Sequence, residues 1–94
     1  MSARLLWVDD EIDLLRPHCL FLEKRGYDIT TASNGNDAVE LCRTQRFDLV
    51  LLDENMPGLS GLETLAAIKE VQPDVPVVMV TKNEAEDLMD QAIG

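Results

Sequence analysis

Three short apolar runs constrain this chain more than anything else in it: Leu5-Leu6-Trp7-Val8, Leu49-Val50-Leu51-Leu52 and Val77-Val78-Met79-Val80. None of them alternates with polar residues. A strand with one wet face reads apolar-polar-apolar, so an unbroken run marks a strand covered on both faces, as in a parallel sheet. A weaker strand is expected around Tyr27 to Ala32.

Helical patterns fill the gaps between the runs. Ile12, Leu15, Cys19 and Leu22 repeat at helical spacing and Gly26 closes that helix. Pro17 falls inside it, removes one backbone hydrogen bond and predicts a kink. Asn34 or Asn36 caps a second helix carrying Ala38, Leu41 and Cys42. Ser60 caps a third, with Glu63 placed for a reciprocal bond and Leu62, Leu65 and Ile68 as the buried side. Pro73 and Pro76 bracket the return to a strand, and a fourth helix is expected from about Glu84, burying Leu88, Met89, Ala92 and Ile93. Strands alternating with helices imply right-handed crossovers and an α/β fold, a doubly wound parallel sheet with helices on both faces.

At 94 residues the chain makes one small domain. It carries 18 acidic against 8 basic residues, a net charge of −10. That balance argues against direct nucleic-acid binding through this segment and is compatible with a cation site. No apolar run is long enough to cross a membrane and no secretory leader is evident, so the expected location is the cytoplasm. Cys19 and Cys42 have no metal-type spacing and read as small apolar residues in a reducing compartment. His18, the single histidine, reads as a rim residue.

The strong strands end on chemistry. The first runs into Asp9-Asp10, the next strong one into Asp53 and the last into Thr81. In a parallel sheet these ends share one edge, and open sheets of this kind bind ligands in the crevice at that edge. Three carboxylates and a hydroxyl would converge there. Two carboxylates about 4 Å apart repel by roughly 4 kcal/mol at an effective dielectric near 20, so either one is protonated or a cation sits among them. The candidate ligands are all hard oxygens, which favours magnesium, or manganese in its place, over zinc. An ionised carboxylate needs no general base to attack a phosphoryl group, and the product would be an acyl phosphate. Thr81 is placed to donate a hydrogen bond to a phosphoryl oxygen.

Together, Leu6-Trp7-Val8-Asp9-Asp10-Glu11, Asp48 to Gly58 with Gly61, and Pro76 to Thr81 resemble the receiver domains of two-component response regulators, over the entire chain. The wording of Trp7 to Glu11 and of Thr81-Lys82 is also similar to PorX-type regulators, which carry a PglZ-type output domain. The resemblance implies a CheY-like, flavodoxin-like sheet in the order 2-1-3-4. It implies that Asp53 accepts a phosphoryl group from a sensor histidine kinase, and that Asp10 binds the cation directly with Asp9 reaching it directly or through water. Asn55 would give its backbone carbonyl to the metal, Thr81 would move toward the phosphoryl group as the switch, and Met56-Pro57-Gly58 would shape the loop above. It implies a signalling module, not an enzyme, acting on an output domain or partner protein.

Two departures accompany the likeness. A receiver continues through a fifth strand and helix, the strand bringing a lysine to the phosphoryl group, and residues 1–94 would form a receiver lacking both; neither Lys69 nor Lys82 is in the matching position. The fourth strand would then be an apolar edge, open to homodimer formation or domain swapping. Lys82 also stands where the family usually has a small residue, either narrowing access, lending charge or simply facing solvent. The competing reading is a degenerate receiver that docks or dimerises without being phosphorylated. A phosphohydrolase with an Asp nucleophile would need a second acid two residues on, where Asn55 cannot protonate a leaving group.

Overall fold

The computed structural model of the chain describes residues 2–54, 56 and 58–80. In order these form β1 (Arg4–Val8), a short 3₁₀ turn (Ile12–Leu15), α1 (Arg16–Lys24), β2 (Asp28–Ala32), α2 (Gly35–Thr44), β3 (Leu49–Asp53), α3 (Gly61–Val71) and β4 (Val77–Val80). The four strands make one parallel sheet in the order β2-β1-β3-β4. The expected sheet and strand order are therefore present, and the three apolar runs coincide with β1, β3 and β4. The expected fourth helix lies outside the described residues.

Side chains alternate across each strand, so each apolar run feeds two cores. Leu6, Val8, Val50 and Leu52 are fully buried with Ala38, Cys42 and Ile68 of α2 and α3. On the opposite face Trp7 packs with Leu15, Cys19 and Val80, joined by the half-buried Ile29 and Leu51. Each of these large side chains contributes about 1.5–3 kcal/mol by leaving water. Burial pushes the thiols of Cys19 and Cys42 up, as apolar packing groups require. His18 is half-buried, its ring 6.4 Å from that of Trp7.

Local signals set the helix ends. Gly26 takes φ +95°, Tyr27 N–H donates to the Leu22 carbonyl and Gly26 N–H to that of Glu23, the paired bonds that close a helix on a left-handed residue. Asn34 is the α2 cap, its Oδ1 accepting from Asp37 N–H at 2.8 Å. Ser60 and Glu63 exchange side-chain-to-backbone bonds, both 3.2 Å, at the start of α3.

Two expectations are corrected. Pro17 does not kink a continuous helix: the segment is a 3₁₀ turn followed by α1, and Pro17 sits in the first turn of α1, where a missing N–H loses no intrahelical bond. Leu62 is 71% exposed. Gly61, Thr64 and Ile68 take the inner face of α3, which turns Leu62 outward.

The edge of the sheet opposite the strand ends is tied by Gln72. Its Nε2 donates to the carbonyls of Cys42 and Gln45 while its Oε1 accepts from Phe47 N–H, joining α2, α3 and the entry to β3. Lys69, excluded above as the phosphate lysine, donates to the carbonyls of Pro73 and Val75 close by. Gln72→Leu leaves three backbone groups without their partner and is expected to lower stability by about 2–4 kcal/mol. Urea denaturation checks this; a loss below about 1 kcal/mol would mean water replaces the side chain.

Candidate metal and phosphoacceptor site

β1 and β3 are hydrogen-bonded neighbours with Val8 opposite Leu52. The next residue on each strand is an aspartate, so Asp9 and Asp53 emerge side by side at the C-terminal edge of the sheet. Both are almost fully buried, 2% and 3% exposed, while Asp10 is exposed. One carboxylate oxygen from each of the three lies within 4.8 Å of the others. Among the sequence-derived site residues, Asp9, Asp10 and Asp53 are thus brought together. Asn55, Thr81, Pro57 and Lys82 lie outside the described residues.

The backbone holds this arrangement. Asp9 N–H donates to the Ala32 carbonyl at 3.0 Å, extending the β1–β2 ladder. Glu54 N–H donates to the Val80 carbonyl at 3.1 Å and extends the β3–β4 ladder past Asp53. The Asp9 side chain accepts from Glu11 N–H at 2.8 Å, which turns the chain into the 3₁₀ segment and fixes that carboxylate.

Sequence reasoning assigned no role to two elements of the site. One is the Glu11 amide, which was legible as an Asp followed two residues later by a turn. The other is Gly61. A methyl group there would lie 2.9 Å from the Asp53 carbonyl oxygen and 3.0 Å from that of Glu54. Only glycine lets α3 start this close to the strand end, and nothing local in the sequence marks that approach.

Charges of like sign packed this tightly oppose one another. Two carboxylates about 5 Å apart repel by roughly 3 kcal/mol at an effective dielectric of 20. A hard divalent cation relieves that repulsion, and the donor set, carboxylate oxygens only among the described residues, fits magnesium better than a softer metal.

Comparison with known proteins gives this arrangement its context. The family model described as the response regulator receiver domain matches residues 5–94. The chain is 42% identical over 92 residues to a transcriptional regulatory protein of Haemophilus influenzae named as a CpxR homolog, covering 98% of this chain and 39% of that protein. It is 33% identical over 94 residues to the alkaline phosphatase synthesis transcriptional regulatory protein PhoP of Bacillus subtilis, covering all of this chain and 38% of that one. It therefore spans about two fifths of the length of these curated relatives. Among solved structures it is similar to the response regulator TrrA of Thermotoga maritima in complex with magnesium and a beryllium fluoride, at 34% identity and a TM-score of 0.75 over 97% of this chain and 81% of that one. TrrA is also known in complex with the histidine kinase ThkA, where the likeness is 37% at a TM-score of 0.77 over 86% of this chain and 70% of that one. Among the described residues no helix is long and apolar enough to cross a membrane. With its family model matched across nearly the whole sequence and its sheet in the expected order, the chain belongs to the response regulator receiver domain family, whose members are signalling modules and not enzymes.

Proposed function

We propose that this domain is the phosphoacceptor of a two-component system, with Asp53 as the residue that becomes an acyl phosphate. The observation that carries the reading is the meeting of three carboxylate oxygens within 4.8 Å at the ends of β1 and β3. The donor is a phosphohistidine on a sensor histidine kinase, a reading supported by the kinase complex of TrrA. An Asp53 carboxylate oxygen bonds to phosphorus while the P–N bond of the phosphohistidine breaks; the imidazole nitrogen keeps the bonding pair and takes a proton from solvent. Asp9, Asp10 and Asp53, with the Asn55 carbonyl, hold a magnesium ion, which when bound neutralises negative charge on the transferring group. Thr81 then engages a phosphoryl oxygen and passes the change to an output domain or partner protein in the cytoplasm. The narrower likeness to PorX-type regulators rests on Trp7 to Glu11 and Thr81-Lys82, whereas the curated relatives are transcriptional regulators; no described site residue distinguishes a PglZ-type output from a transcriptional one.

The test is incubation with acetyl phosphate and magnesium. The intact mass is expected to gain one phosphoryl group, labile to hydroxylamine, and borohydride trapping with peptide mapping is expected to place it on Asp53. Labelling at another residue would overturn the assignment of Asp53, and no labelling with any phosphodonor would return the degenerate docking module as the better account.

A further inference from the structure

The charged residues of this domain are segregated along the strand direction. At the edge where the strands end, the turn after β1 contributes Asp9, Asp10, Glu11 and Asp13. The start of α2 adds Asp37, and the segment from the end of β3 into α3 adds Asp53, Glu54 and Glu63. Among the described residues Arg16 is the one basic side chain there, and it faces Asp13 at 3.4 Å. The other described basic residues belong to the opposite edge: Arg4 opens β1, Lys24 and Arg25 close α1, Arg43 and Arg46 follow the end of α2, and Lys69 is in the last turn of α3. Acidic residues are interleaved with them, as in the Arg4–Asp28 pair, so that edge is close to neutral. The negative excess of the described part therefore sits around the buried Asp9 and Asp53 and the exposed Asp10.

A phosphoryl donor is itself anionic, and it must approach through that field. One bound divalent cation offsets only part of it. A small free phosphodonor brings no compensating charge, whereas a protein donor can. We infer that the site is matched to a donor protein whose phosphohistidine is rimmed by lysine and arginine side chains, and that the acidic edge steers this partner while holding off small anionic donors. The inference rests on the phosphoacceptor reading above and adds the class of surface that delivers the phosphoryl group. The exposed Leu14 and Leu62, 66% and 71% exposed, stand on the same edge and give such a partner apolar contact once charge has brought it in.

Fields of this kind act over the screening length, about 30 Å at 0.01 M salt and about 8 Å at 0.15 M, and change encounter rates by about 10–1,000-fold. The experiment measures initial labelling of Asp53 at saturating magnesium as potassium chloride is raised. With acetyl phosphate the rate is expected to rise at least about threefold from low to physiological salt, as repulsion is screened. With a phosphohistidine peptide flanked by lysines it is expected to fall by a similar factor, and the same peptide flanked by glutamates is expected to be slower at low salt. The double variant Asp13→Asn, Glu54→Gln is expected to label faster with acetyl phosphate at low salt and to respond less to added salt. A rate with acetyl phosphate that falls or stays level, or equal rates for the two peptides, would overturn the inference while leaving the phosphoacceptor reading intact. Absence of labelling from every donor at every salt concentration would remove both.

Discussion

In buffer containing EDTA, Asp53→Asn is expected to melt above the wild-type chain, with about 1–2 kcal/mol of added stability, and to accept no phosphoryl group at all. The sign follows from the crowding at the strand ends. Asp9 and Asp53 are both nearly buried and both in reach of Asp10, and the full repulsion of one such pair, roughly 3 kcal/mol, is discounted for partial access to water and salt. Asparagine keeps the shape and removes one charge. Magnesium should then offset most of the advantage, because it binds the wild-type folded state and has lost one ligand in the variant. At roughly ten times its dissociation constant it adds about 1.4 kcal/mol to the wild type, which in a domain of this size moves the midpoint by about 5–10 °C. Calorimetry with EDTA and with magnesium checks both halves. A variant less stable than wild type in EDTA would mean that hydrogen bonds to Asp53 outweigh the repulsion.

The second large effect is expected at Gly35, the first residue of α2. Helix propensity alone says that alanine there should stabilise, by up to about 1 kcal/mol. The packing says the reverse. A Cβ on Gly35 would lie 2.1 Å from Oγ1 of Thr64 and 3.2 Å from Cβ of Leu59. Thr64 is fully buried in α3 and β-branched, so it has little freedom to turn aside. Gly35→Ala is therefore expected to destabilise by about 1–3 kcal/mol by forcing α2 and α3 apart. Thr64→Ala removes the opposing atom, and that hydroxyl has no hydrogen-bond partner among the described residues, so the double variant should recover most of the loss. Urea titration of the four proteins gives the coupling energy directly. Additive effects would show that the contact at 2.1 Å is not what sets the cost.

Glycine at position 35 also shows where the sequence stops being readable. The runs at β1, β3 and β4 were legible because each is an unbroken stretch of apolar residues that packs into the core, although Val78 of β4 is itself exposed. The meeting of Asp9, Asp10 and Asp53 followed from them, since parallel strands put their ends on one edge. β2 was faint because it lies at the side of the sheet, where Asp28 and Thr31 face water and only Ala32 is buried. Leu62 was misassigned because its residue type fits a buried face while the small residues Gly61 and Thr64 occupy that face instead. Pro17 was misassigned because helical spacing does not distinguish one kinked helix from a 3₁₀ turn leading into an α-helix. The close approaches of Gly35 to α3 and of Gly61 to the end of β3 depend on how far apart whole elements sit, and no local pattern encodes that distance.

The placement of the two buried aspartates at the ends of β1 and β3 has a consequence for how a cation would be captured. These are the two inner strands of the described sheet, each hydrogen-bonded on both sides. Their ends are held at a fixed spacing before any ion arrives, so the site is preorganised and capture spends little free energy on ordering the main chain. An ion would then find Asp9 and Asp53 already in place, and neither strand would have to shift to bind it.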